Sequence, residues 1–241
     1  MIAIEIKDLT KKYKNKIAVD NLNLEIEKGE LFSLLGVNGA GKTTTIKMLT
    51  CLISPTSGDA ILNGLSIINN KDQLKEIINV SPQETAIAPN LSVIENLEFI
   101  ADIYEIKNKK DKVTTLLKEF KLNEVANQKA KTLSGGWQRK LSIAMAIVND
   151  PKILFLDEPT LGLDVIARRE LWKIIEDLKD KTTIILTTHY MEEAESLSDR
   201  IGIMVNGTLV DVGTSKELIE KVDANNFEDA FVKIVTGGSL K

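Results

Sequence analysis

An α/β fold built on a largely parallel sheet is predicted by three observations. Short apolar runs of strand length, Leu31–Leu35, Ile153–Leu156 and Thr183–Thr187, recur along the chain. The segment between the second and third carries Leu171, Ile174, Ile175 and Leu178 on one helical face, which makes a strand–helix–strand unit over Val165–Asp180 and its flanks. Near the N-terminus the pattern differs. Ile2, Ile4 and Ile6 alternate with polar residues, and Leu22, Leu24 and Ile26 do the same, as half-buried antiparallel strands do.

The remaining elements follow in order. Leu31–Leu35 runs into a glycine loop and then a helix over Lys42–Leu52. Ala60–Leu62 is a short strand before the hairpin dipeptide Asn63-Gly64. From about Ser92 to Asn149 the spacing is helical, with Val93, Leu97 and Ile100, then Leu116, Leu117 and Phe120; Lys107–Lys112 reads as a solvated loop. Ile201–Val205 and Asn206-Gly207 make a last strand and hairpin. Thr214-Ser215 with Glu217 caps a helix at Leu218. The expected domain is 1–222, with a core of 1–84 and 151–222, a helical insertion of 85–150, and a short fraying tail over 223–241.

Composition narrows the class. Hydrophobic residues at 43 % and charged residues at 27 % suit a soluble globular chain, and the 5 % aromatics imply an aliphatic core. Thirty-one Lys and Arg against 35 Asp and Glu give a charge of -4, so no nucleic-acid partner is expected. The single cysteine, Cys51, cannot form an internal disulfide. With no leader pattern at the N-terminus, it implies a reducing cytosol. No apolar run is long enough to span a bilayer, so any action at a membrane requires a partner chain.

Gly36-Val37-Asn38-Gly39-Ala40-Gly41-Lys42-Thr43 matches G-x-x-x-x-G-K-[ST] and lies between a buried strand and a helix. Glycines let the backbone curl its N–H groups onto phosphate oxygens, and the following helix adds its positive end. Asn38, Gly39, Ala40 and Gly41 would form this cradle. Lys42 would reach the β- and γ-phosphates, Thr43 would bind Mg²⁺, and Thr44 would help with the α-phosphate. The motif places the fold among the P-loop NTPases. Ile153–Leu156 ends in Asp157-Glu158, two carboxylates whose burial is costly unless something compensates it. Asp157 fits a water-mediated Mg²⁺ ligand, and Glu158 fits the base that polarises the attacking water. His189, the only histidine, follows a core strand and is placed to touch the γ-phosphate. Ser134, Gly135 and Gly136 open a second helix and offer a second anion cradle. One nucleotide does not need two cradles, but two chains arranged head to tail would use both.

Together these segments resemble the ATP-binding subunits of ABC transporters over nearly the whole chain. The order Tyr13, phosphate loop, Gln83, Leu133–Gly136, Asp157-Glu158, Leu161–Asp164 and His189 carries the resemblance. It implies that Tyr13 stacks on adenine and that Gln83 contacts Mg²⁺ and the water. It also implies that Ser134, Gly135 and Gly136 bind the γ-phosphate held by a second copy, and that Asp164 communicates across the dimer. Trp137 stands where such families usually carry glutamine or methionine, and packing on its own helix is the expected role. Asn90–Tyr104 and Asn226–Gly238 are similar to the ATPases of ABC-2 type exporters. The implied unit is a peripheral dimer on the cytoplasmic face of the membrane, with ATP and Mg²⁺ as cofactors and an integral membrane permease as partner. The implied permease contact is the rim near Gln83–Asn96. The alternative is a non-transport relative in DNA maintenance or on the ribosome. The DNA type has long coiled coils or zinc cysteines and the ribosomal type has two ATPase domains per chain; this sequence has neither.

Overall fold

A computed structural model describes residues 1–179 and 181–237. The chain opens with two long strands, β1 (Ile2–Tyr13) and β2 (Lys16–Glu27), followed by β3 (Leu31–Leu35) and α1 (Lys42–Leu49). Next come β4 (Ser57–Leu62), β5 (Leu65–Ser66), α2 (Lys71–Ile77) and β6 (Ile78–Ser81). Three helices follow: α3 (Val93–Ile103), α4 (Lys109–Glu119) and α5 (Gly135–Ala146). The chain then runs through β7 (Ile153–Asp157), α6 (Val165–Lys179), β8 (Thr183–Thr188), α7 (Met191–Leu197), β9 (Arg200–Val205) and β10 (Thr208–Gly213). It ends in α8 (Ser215–Lys221) and α9 (Phe227–Thr236).

These strands form two sheets. One is antiparallel in the order β2-β1-β4-β5; the other runs β10-β9-β3-β8-β7-β6, parallel except for the β9–β10 hairpin. Strand β7 is buried along its whole length because each face meets a different core. Leu154 and Leu156 join the cluster formed with α3, α4, α5 and α6, whereas Ile153 and Phe155 join the cluster under the antiparallel sheet. A strand covered on both faces reads as an unbroken apolar run, which is why Ile153–Leu156 carries no alternation.

Register places the chemistry. Leu35 of β3 lies opposite Thr188 of β8, and Thr187 lies opposite Asp157 of β7. The phosphate loop, the Asp157-Glu158 pair and His189 therefore leave the sheet at one edge, the carboxyl ends of parallel strands.

Three expectations change. Lys107–Lys112 is not all loop, since α4 begins at Lys109; its first turn is charged and solvated, while Val113, Leu116 and Leu117 are buried. Helix α2 and strand β6 lie where no element is expected. The segment 223–241 does not fray as a whole. Asn226 caps α9 by accepting from the Asp229 N–H at 2.8 Å, and Gly237 ends the helix at φ 61°. Phe227 is 1 % exposed and packs with Leu35, Ile201, Ile203 and Leu218. Gly238 and the residues after it lie outside the described residues, as does Asp180 at the end of the expected Val165–Asp180 helix.

Phe227→Ala should lower unfolding stability by about 3–5 kcal/mol, read as the urea midpoint. A loss under about 1 kcal/mol would mean that α9 contributes no more than a frayed tail does.

Candidate active site

Two glycines of the phosphate loop are fixed by close approach. A Cβ on Gly36 would collide with the Met204 carbonyl, and one on Gly41, at φ 109°, would collide with the Ala18 carbonyl. Neighbouring strands fasten the loop. The Gly207 N–H donates to Ala40 O at 2.8 Å, and the Asp20 N–H donates to Gly207 O at 2.8 Å.

The cavity above the loop has a volume of about 530 Å³. Its walls bring together Tyr13, Asn38, Gly39, Gly41, Lys42, Thr43, Thr44, Gln83, Glu158 and His189, along with Lys16, Ala18 and Leu161. Ala40 is buried beneath it, and Asp157 is buried behind Thr43. Ser134, Gly135 and Gly136 do not line this cavity. Ser134 is the N-cap of α5, and its side chain makes no capping bond. Tyr13 is half exposed, with the Lys11 ammonium 5.2 Å from its ring centroid.

The charges at the sheet edge are interlocked. Lys42 is 4 % exposed; its ammonium donates to Gly36 O at 2.7 Å and Val37 O at 3.3 Å and lies 3.5 Å from Glu158 Oε1. Burial pulls the Lys42 pKa down, while Glu158 and Asp157 oppose the shift. Asp157 Oδ1 accepts from the Thr43 hydroxyl at 3.1 Å and the Thr187 hydroxyl at 2.6 Å. His189 Nδ1 lies 3.2 Å from Glu158 Oε2. Glu158 adopts a left-handed backbone, φ 47°, uncommon for a residue with a side chain. Its N–H donates to both the carbonyl and the hydroxyl oxygen of Thr187, each at 3.1 Å.

Thr43 and Asp157 form a pair of hard oxygen ligands. That set suits Mg²⁺, which takes one or two protein oxygens together with substrate phosphates and water. The residues present therefore fit the ion.

Two residues of the site were not visible in the sequence. Thr187 binds the Asp157 carboxylate and the Glu158 backbone N–H but reads as one more polar residue at a strand end. Arg139, on α5, donates to backbone carbonyls beside the cavity; a buried arginine on a helix leaves no local pattern. Asp164 caps α6, accepting from Ile166 N–H at 2.9 Å and Ala167 N–H at 3.0 Å. Those bonds, the one from Ala167 first, hold its carboxyl below the usual range.

The model of the family described as ABC transporter matches residues 19–161. The chain belongs to the ABC transporter family. It is 44 % identical over 224 residues to "ABC transporter A family member 9" of Dictyostelium discoideum, covering 91 % of this chain and 26 % of that protein. It is 42 % identical to "Phospholipid-transporting ATPase ABCA3" of Homo sapiens, covering 92 % of this chain and 13 % of that one. It is 36 % identical to "Probable multidrug ABC transporter ATP-binding protein YbhF" of Escherichia coli (strain K12), covering 96 % and 41 %. The chain thus spans less than half the length of these relatives. Among solved structures it resembles "Structure of ATP binding subunit of ABC transporter", with TM-score 0.86 and 27 % identity over 96 % of this chain and 99 % of that one. It also resembles the dimeric post-hydrolysis cassette MJ0796 bound to ADP and Pi, with TM-score 0.80 and 27 % identity over 88 % and 98 %. The fold is that of an ABC ATPase cassette.

Trp137, the departure in the helix-opening motif, is half buried against the helical-lobe core, and the Lys140 ammonium sits 4.6 Å from its ring centroid. Lys140 in turn pairs with Glu170 at 2.6 Å. Trp137→Gln should therefore leave ATP turnover within about threefold of wild type and cost about 1 kcal/mol of stability. A collapse of turnover at unchanged stability would put the indole on nucleotide instead.

Behind His189, Glu193 is fully buried on α7 and accepts from Trp172 Nε1 at 3.1 Å. Burial pushes its carboxyl up, against the pull of the Trp172 indole N–H. A carboxyl raised in the folded state binds more protons there than in the unfolded chain, so its contribution falls as pH rises above the unfolded value. Glu193→Gln should gain stability over wild type from pH 5 to pH 8, measured by urea unfolding. A difference that does not change with pH would refute the buried-acid assignment.

Proposed function

We propose that this chain is the ATP-hydrolysing subunit of a transporter, in which two copies close head to tail over two ATP·Mg²⁺ and drive a separate membrane permease. The observation that carries the reading is the convergence of Lys42, Thr43, Glu158 and His189 on one cavity at the carboxyl edge of β3, β7 and β8.

In this reading the Lys42 ammonium and the amides of Asn38–Gly41 hold the phosphates, with the Thr43 hydroxyl and Asp157 as the protein ligands of Mg²⁺ and Gln83 beside them. Mg²⁺ would supply charge neutralisation on the terminal phosphates. Glu158 polarises the attacking water and His189 contacts the γ-phosphate. Lys42 and His189 both lie against Glu158 here. A bound γ-phosphate would draw these two groups toward itself and leave the Glu158 carboxylate to the water. Tyr13, half exposed at the cavity wall, would stack on adenine.

The second half of the site comes from the partner copy's helix-opening motif at positions 134–136. Support for a dimer is of two kinds. Ser134 and Gly135 are exposed and apart from the cavity of their own chain, and the similar cassette MJ0796 is dimeric. For the permease, the rim near Gln83–Asn96 borders a groove lined by Pro82, Ala86, Ile100 and Tyr104, flanked by exposed Phe99 and Ile103. That apolar surface suits a cytoplasmic helix of the permease. No described helix is long and apolar enough to cross a membrane, in keeping with a peripheral subunit on the cytoplasmic face. Export is favoured because relatives carry names such as multidrug and phospholipid-transporting.

Glu158→Gln should keep ATP binding, lose turnover by about 100-fold or more, and accumulate an ATP-bound dimer visible by size exclusion. Turnover at the wild-type rate would remove Glu158 as the base. Lys42→Ala, as the control, should lose nucleotide binding itself.

A further inference from the structure

We propose that Arg139 is a positioning residue that clamps Glu158 and Gln83 to helix α5, so that the helix carrying Ser134–Gly136 sets the geometry of the water-polarising group in its own chain. The proposal rests on the reading of Glu158 as the base.

Arg139 is 4 % exposed and lies five residues beyond Ser134 on α5. Its Nη1 donates to Pro82 O at 2.7 Å. Its Nη2 donates to Gln83 O at 2.7 Å and to Glu158 O at 3.3 Å. Among the described residues no carboxylate lies within ion-pair distance of it. An arginine paired with a carboxylate could follow a mobile side chain. This one is committed to main-chain oxygens of two loops, at the ends of the neighbouring strands β6 and β7, where Ser81 lies opposite Leu156. A second bond backs the arrangement, between the Ser81 and Ser142 hydroxyls at 2.9 Å.

The bond to Glu158 completes a restraint on a strained residue. Thr187 holds the N–H of Glu158, and Arg139 holds its carbonyl. With both ends of the residue fixed, φ stays at 47° and the carboxylate stays between Lys42 and His189. Burial of the guanidinium is costly, and burial lowers its pKa while Asp157, Glu193 and Glu158 oppose the shift. Three carbonyl acceptors offset that cost. Lysine offers a single ammonium centre and cannot span the same acceptors as the planar fork does.

The test uses the full chain. Arg139→Lys should lower kcat by about 10–100-fold, as expected for a reacting group misplaced by a fraction of an ångström to an ångström. KM should stay within about threefold, and the affinity for a non-hydrolysable ATP analogue, by fluorescence titration, should be unchanged. In a Glu158→Gln background the same change should still allow the ATP-trapped dimer to form, because the helix-opening motif is intact. A kcat within about threefold of wild type would overturn the proposal, as would affinity falling in step with kcat, or loss of the trapped dimer. Should Arg139→Lys prove unfolded at the assay temperature, Arg139→Ala is assayed with added guanidinium ion. Restored turnover supports the clamp, and a folded variant without rescue overturns it. Wild-type turnover in Glu158→Gln alone would remove the base assignment. Inactive Glu158→Gln beside fully active Arg139→Lys would remove the clamp and leave the base in place.

Discussion

Two carboxylates at the end of a strand buried on both faces are the constraint around which this molecule is organised. Moving a carboxylate out of water costs several kcal/mol unless partners replace the lost hydration. Asp157 has two hydroxyls, from Thr43 and Thr187, and Glu158 has an ammonium and an imidazole. Those partners come from two separate stretches of chain, Lys42–Thr43 and Thr187–His189, both distant in sequence from the carboxylates. They meet only because β3, β8 and β7 pair in parallel with aligned ends. The central sheet, the glycine loop and the burial of Lys42 thus belong to one electrostatic arrangement.

Much of this arrangement is legible in the sequence, because the informative residues are contiguous. Gly36–Thr43 and Asp157-Glu158 each carry their chemistry within a few positions, and an apolar run announces the strand before them. The legibility fails where the deciding interaction is distant. Strand β6 is four residues of mixed character, Ile78–Ser81, and its partner is Ile153–Leu156, far along the chain; no local periodicity reveals it. Helix α9 reads as a fraying tail because Phe227 is held by residues of β3, β9 and α8. Arg139 acts wholly on backbone atoms and Thr187 partly so, at the Glu158 N–H, and a backbone atom has no letter in the sequence.

The molecule divides its rigidity unevenly. The phosphate loop is tied to β2 and to the β9–β10 hairpin by backbone bonds at Ala40, Gly207 and Asp20, and it is crowded by Met204 and Ala18. None of those neighbours belongs to the helical lobe. The lobe instead meets the site through α5, by way of Arg139 and the Ser142 hydroxyl. Displacement of the lobe would therefore be felt at Gln83 and Glu158 while the cradle for the phosphates stayed put, which separates holding the nucleotide from acting on it.

The left-handed backbone of Glu158 has a consequence for how this chain tolerates damage. A residue held in an unfavourable conformation, with a buried charge, is a place where the fold carries a penalty for the sake of chemistry. Loss of that side chain to glycine would relieve the backbone but strand the Lys42 ammonium, buried with only the Gly36 and Val37 carbonyls for company. The two burdens at this position pull in opposite directions, so it offers no easy route to a sturdier but idle chain.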